Sequence, residues 1–150
     1  MIDKSELASI YDAVELLLQN GDESDLPTIA YKCDEIVGDH ELESRAWFIG
    51  SRAYQLLNDP EAAMLRIDVA LMIAAINVEY HFHRFNVLLQ LGKGAEITST
   101  INRVFRDLTV EGKFAMVGFI ETAIATGLIH KNELEVDVAV EVLRRRLREE

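Results

Sequence analysis

An all-α fold is what this sequence predicts, and three observations predict it. Apolar residues recur at i, i+3, i+4 and i+7 along most of the chain, the spacing that gives a helix one apolar face. Prolines number 2 and glycines 8 in 150 residues, too few for turn-rich sandwiches and barrels. Those present fall, with Asn and Asp, mostly between the periodic segments, where helices stop and start.

The first helix is expected from about Ser5 to Gln19, with Ser5 as N-cap and Glu6 in the first turn. Its stripe is Leu7, Ile10, Tyr11, Val14, Leu17 and Leu18, and Asn20-Gly21-Asp22 ends it. A second helix starts at Ser24 and tolerates Pro27 in its first turn, where backbone N–H groups lack partners anyway. It buries Leu26, Ile29, Ala30, Cys33, Ile36 and Val37, with Gly38 just past its end. The third, from about Glu41 to Leu57, turns Ala46, Ile49, Gly50, Ala53, Leu56 and Leu57 inward. Trp47 and Tyr54 flank that face, and Trp47 is expected to be largely buried between paired helices. Asp59 caps the fourth helix and Pro60 takes its first position. That helix, about 60 to 76, is apolar nearly all round at Val69 to Ile76 and is expected to be buried on more than one side. A fifth runs from about Val78 to Leu91 before Gly92, a sixth from about Ala95 to Leu108, and a seventh from about Glu111 to Thr126 before Gly127.

The last segment admits two readings. Leu134 to Val142 alternates with period two, which suits a strand. Val136, Ala139, Val140, Leu143 and Leu147 also fit a helical stripe, with Asn132 as cap and Arg144 to Arg148 at the C-terminal end. A lone strand has nothing to pair with, so helix is preferred. Its apolar side chains exceed one buried stripe, which predicts an interface: self-association or an obligate partner, with this helix as the contact.

Length fits one domain over 1–150, and 49% apolar residues suffice for a core at this size. No apolar run approaches the roughly 20 residues that span a bilayer, so no membrane association is expected. The polar opening Met1 to Glu6 carries no leader-like pattern, and Cys33 is the single cysteine. Together these predict a reduced, cytoplasmic protein. Charge is uneven: residues 1–43 hold 12 acidic and 2 basic side chains of the total net −11. That sign opposes direct nucleic-acid binding. It either keeps the surface soluble or attracts a basic partner.

Residues 44–77 carry a further pattern. Trp47, Gly50, Ser51, Tyr54, Leu57, Asn58, Ala63, Ile67, Ala70 and Leu71 have the order of a helix–turn–helix unit with a 34-residue period. Stepping 34 residues on places His81 on Trp47, Phe85 on Ser51 and Leu88 on Tyr54. The same step places Leu91-Gly92 on Leu57-Asn58, Ile97 on Ala63, Ile101 on Ile67 and Phe105 on Leu71. The chain thus resembles the tetratricopeptide (TPR) family. Its units are about 5–37, 44–77, 78–110 and 111–148, stacked as a short right-handed solenoid of about seven helices plus a capping helix. It departs from the family pattern in Gly50-Ser51, where the family has Leu-Gly, and in Ala75, where the family has proline. The layout is also similar to the small acidic chaperones of type III secretion translocators.

The resemblance implies a groove lined by the first helix of each unit. Its positions fall on Arg45, Phe48, Arg52 and Gln55, and on Glu79, Phe82, Asn86 and Leu89. Arg52 and Asn86 are equivalent and suit a peptide backbone or carboxylate. Phe48 and Phe82 either form pockets for partner side chains or belong to the core.

No reaction centre is legible. Gly92-Lys93-Gly94 lacks phosphate-loop spacing. His81 and His83 stand two apart on a helix, the wrong step for a shared metal. His40 and His130 lie near helix ends, and Cys33 on an apolar face reads as an inert thiol. The expectation is therefore no enzyme, no cofactor and no metal. Two functional readings follow. One is a protein- or peptide-binding adaptor or chaperone acting through the groove. The other is an acidic inhibitor whose N-terminal third meets a basic surface, as a nucleic-acid mimic.

Overall fold

Eight α-helices succeed one another in the computed structural model, which describes residues 2–149. They are α1 (Lys4–Asn20), α2 (Leu26–Asp39), α3 (Ser44–Leu56), α4 (Pro60–Ile73), α5 (Val78–Gln90), α6 (Ala95–Val104), α7 (Val110–Ala125) and α8 (Val136–Glu149). Short 3-10 turns at Glu23–Asp25, Phe105–Asp107 and Lys131–Glu133 join three of the pairs, and there is no strand among the described residues. The period-two alternation at 134–142 is therefore helical from Val136 on. In a chain whose other elements are all helices, no edge is available to pair with it.

Several boundaries differ from the sequence expectation. Asp3, not Ser5, caps α1, its carboxylate accepting the Ser5 N–H at 3.2 Å. Gly38 lies inside α2 rather than beyond it. The helix continues because its end is clamped from outside: the Ile2 N–H donates to Asp39 and the His40 Nε2–H donates to the Ile2 carbonyl at 2.7 Å. The segment 41–43 turns instead of opening α3, and Tyr11 donates its hydroxyl to Glu43 there at 2.9 Å. α6 tightens into a 3-10 turn at Phe105, short of Leu108. Asn132 does not cap α8; it sits in the turn Lys131–Glu133.

Burial also departs from expectation: Leu56 and Leu57, expected to face inward, are exposed at the end of α3. Trp47 is only half-buried. Its indole lies across the start of α3 and donates to the Glu41 carbonyl at 2.9 Å, an arrangement that keeps one face wet. α4 buries only the small stripe Ala63, Ile67 and Ala70, whereas Leu65 and Met72 are 63% and 84% exposed.

A 34-residue register shows in the hydrogen bonds. Trp47 Nε1 reaches back to the Glu41 carbonyl, and His81 Nε2 reaches back to the Ala75 carbonyl at 2.8 Å, six residues in both cases. The imidazole thus does at 81 what the indole does at 47. Asn58 (φ 62) and Gly92 (φ 73) close α3 and α5 in the left-handed region. Beside them the N–H groups of Asp59 and Lys93 return to the carbonyls of Tyr54 and Leu88, at 2.9 and 2.8 Å. Gly127 (φ 80) closes α7 likewise, with Leu128 N–H on the Ala123 carbonyl at 2.9 Å.

Positions 34, 68 and 102 carry a second series. Asp34 on α2 accepts from Arg66 on α4, at 3.1 Å, and from the Tyr54 hydroxyl at 2.8 Å. Asp68 on α4 accepts from Arg84 on α5 at 2.9 Å, and Arg84 also donates to Thr100 on α6. Asn102 on α6 bonds both the Glu133 carbonyl and the Glu135 N–H ahead of α8. Each ties its helix to the next hairpin. Gly50 stands 34 residues before Arg84, and a Cβ there would meet Cys33 Cβ at 3.2 Å. The backbone of α3 therefore approaches α2 closely, and Arg66 reaches Asp34 across the gap.

The apolar core falls into two clusters. One joins α1 to α4 with Tyr80; the other joins α5 to α8 and centres on Phe85, Ile97, Ile101, Met116 and Ile120. α1, α3, α5 and α7 touch in succession, so odd-numbered helices lie side by side.

Two substitutions on one helix test this packing. Ile67 is fully buried, so Ile67→Ala should cost about 2–5 kcal/mol in urea unfolding. Leu65→Ala should stay within about 0.5 kcal/mol, since its side chain is mostly in water.

Candidate functional site

The face offered by α3 and α5 is the one the groove positions mark. The two helices run alongside each other in the same direction. The Ser44 and Tyr80 hydroxyls meet at 3.3 Å, Ser51 meets His83 at 2.8 Å, and Gln90 donates to Asn58 at 3.3 Å. Phe48 stacks on Tyr80 with ring centroids 4.7 Å apart and meets the His83 ring edge-on at 5.5 Å.

The eight predicted positions separate into three kinds. Phe48 is buried and Phe82 half-buried, so their rings work in the packing rather than as open pockets. Phe82 lies against Phe119 of α7 at 5.5 Å. Arg45 and Glu79 are exposed, and Arg45 is already engaged: it pairs with Glu15 of α1 at 2.6 Å and lies over the Tyr11 ring. The remaining four, Arg52, Gln55, Asn86 and Leu89, present donors, acceptors and one apolar side chain. Arg52 is half-buried with its guanidinium 5.7 Å above the Phe48 ring. It makes no ion pair among the described residues, unlike Arg45, Arg66, Arg84 and Arg106.

Beneath this face lies a buried polar junction. Ser51 Oγ donates to the Ala63 carbonyl at 2.7 Å, and the His83 Nε2–H donates to Ser51 Oγ at 2.8 Å. That tautomer satisfies three elements, α3, α4 and α5, with one hydroxyl. Burial pushes the His83 imidazole down to about 4, and the Arg52 charge adds to the shift. Burial also lowers His81, whose Nδ1 has no partner among the described residues. The two histidines bond separate oxygens, and no group of three metal-ligating side chains occurs among the described residues. Cys33 is buried, which pushes its thiol up to about 12 and leaves it unreactive.

Three concavities lie away from the α3–α5 face. The largest, about 810 Å³, opens between α7, the turn at 131–133 and α8, with Ile124, Ile129, Leu134 and Val142 on its walls. One of about 270 Å³ flanks α8 on its other side, at Phe114 and Arg145. A third, of about 370 Å³, sits among α4, α5 and α6 beside His81 and Arg84. The groove positions taken from two units say nothing of these. The surplus of valine and leucine on α8 is the sequence signal that points to the largest of them. Compared with known proteins, the chain matches no family model, no curated sequence and no solved structure.

The buried histidines make stability depend on pH. Above about 6.5, the ordinary histidine value, His83 is neutral in both folded and unfolded chains and its contribution is full. As pH falls toward 4 the unfolded chain binds a proton that the folded chain refuses, so stability drops by up to about 1.4 kcal/mol per pH unit. Urea unfolding of the parent and His83→Gln from pH 7 to 4.5 isolates this, since carboxylate effects are common to both. The parent should lose more stability on that limb; parallel curves would mean that His83 titrates normally.

Proposed function

We propose that this chain is a non-catalytic protein-binding module, an adaptor or chaperone, that receives a partner segment across α3 and α5. Arg52 carries the reading. A half-buried guanidinium held over an aromatic ring and left without a carboxylate is poised to take one from outside. Gln55 and Asn86 beside it offer amides to a peptide backbone, and Leu89 offers an apolar contact. In this reading the odd-numbered helices form the receiving face of a short TPR-like stack and the even-numbered ones its back. The recurrence at 34 residues of ring-to-carbonyl bonds, left-handed turns and inter-hairpin ties supports that arrangement.

The acidic third lends less support to an inhibitor or nucleic-acid mimic. Asp3, Asp22 and Asp25 cap helical turns, Asp39 holds Ile2, Glu43 holds Tyr11, Glu15 holds Arg45 and Asp34 holds Arg66. Those carboxylates are spent inside the molecule, which leaves a basic surface fewer to meet.

Panning a random-peptide library on the full chain tests the proposal. Retained peptides should carry an acidic side chain or free carboxyl terminus next to apolar residues. Arg52→Glu should lose them and Asn86→Ala weaken them roughly tenfold, about 1.4 kcal/mol, with melting temperatures near the parent's. No enrichment, or enrichment indifferent to both substitutions, would overturn it.

A further inference from the structure

The last helix carries apolar side chains on two opposite sides. Val138 is fully buried and Val142 packs on the second core cluster, so that side faces the body of the protein. Val136, Val140, Leu143 and Leu147 advance by steps of four, three and four residues. At about 100° per residue they lie almost diametrically across from Val138 and about 130° from Val142. Their exposures are 80%, 38%, 56% and 61%. That spacing is the seam of a two-helix coiled coil, in which each side chain seats among four of the facing helix. The core does not use this stripe and water disfavours it.

Charge selects the occupant. The start of α8 is acidic, with Glu135 just before it and Asp137 in its first turn, while Arg144, Arg146 and Arg148 crowd its end. A second copy laid parallel would set arginine against arginine. Laid antiparallel, each basic end meets the other's acidic start, and the helix dipoles oppose favourably. With Val136 against the partner's Leu147 and Val140 against the partner's Leu143, Asp137 falls beside the partner's Arg144. Both side chains are within reach of such a pairing, 47% and 62% exposed. Their present partners, Arg106 and Glu141, are surface contacts of the kind that exchange readily.

The geometry points to a homodimer closed by antiparallel pairing of α8 with α8 of a second copy. The contact is two-fold and self-complementary, so it closes at two chains and does not propagate. It lies apart from the α3–α5 face and stands whether or not that face binds a peptide.

Sedimentation equilibrium of the full chain at rising concentration should show monomer passing to dimer. Leu147→Glu should abolish the dimer and leave the melting temperature of the monomer near the parent's, because the side chain lies outside the core. Orientation is read by mild oxidation. In an antiparallel pair the two copies of position 147 lie about 16 Å apart along the axis. Val136→Cys chains mixed with Leu147→Cys chains should therefore cross-link, and neither alone should; buried Cys33 stays out of the reaction. A parent that remains monomeric at every concentration would overturn the pairing and leave the seam to some other helix. A dimer that survives Leu147→Glu would overturn it too, and self-cross-linking of either cysteine variant would overturn the antiparallel arrangement.

Discussion

Ser51, one buried hydroxyl, sits at the join between the two halves of this protein. It donates to the Ala63 carbonyl on α4 and accepts from His83 on α5, at the place where one apolar cluster ends and the other begins. A larger side chain at 51 would force α3 away from α5, and a smaller one would orphan a buried imidazole nitrogen. Phe48, stacked on Tyr80 and edge-on to His83, closes the junction on the outer side. Because burial holds the His83 imidazole down to about 4, the joint between the clusters is also a place where acid weakens the fold. Arg52 sits over Phe48 at the same spot, so the receiving surface proposed for a partner would rest on the seam between the two cores.

The polar ties along the even-numbered helices complement this apolar joint. A helix hairpin buries one face against its neighbour and leaves its register along that neighbour weakly determined, since apolar contacts have little direction. Hydrogen bonds have direction. Asp34 with Arg66, Asp68 with Arg84 and Thr100, and Asn102 with the backbone before α8 set each hairpin's position against the next. Gly50 and Arg84 show two solutions to one spatial problem at equivalent positions. The glycine lets a long side chain from α4 pass, whereas the arginine is itself the long side chain.

Most of the fold was legible from apolar spacing and stop signals. Seven of the eight helices follow from apolar spacing and stop signals, the eighth from the want of a partner for a lone strand, and Asp59-Pro60, Gly92 and Gly127 mark ends where the backbone turns. What was not legible is long-range. The end of α2 is set by Ile2, thirty-seven residues away, and nothing local to Gly38 reports that. Trp47 looked like a core residue because its size suits burial, but its N–H needs a carbonyl and the nearest is at the helix start. The 34-residue step sets His81 on Trp47 without showing what the two share, which is a ring nitrogen at the same reach from a backbone carbonyl. At the candidate site, sequence placed Arg52 and Asn86 on neighbouring helices correctly. It could not tell that Arg45 is claimed by Glu15, or that Phe48 is floor rather than pocket.

The series at 34, 68 and 102 changes character as it goes, from a carboxylate gripped by a guanidinium and a phenol, to a single ion pair relayed to a threonine, to a neutral amide on backbone. Mobile ions screen the first two partly exposed joints and have little hold on the third. Ionic strength therefore bears on the first two members of the series and spares the third, while beside that third tie the exposed pairs of Arg106 with Glu135 and Asp137 stay open to screening.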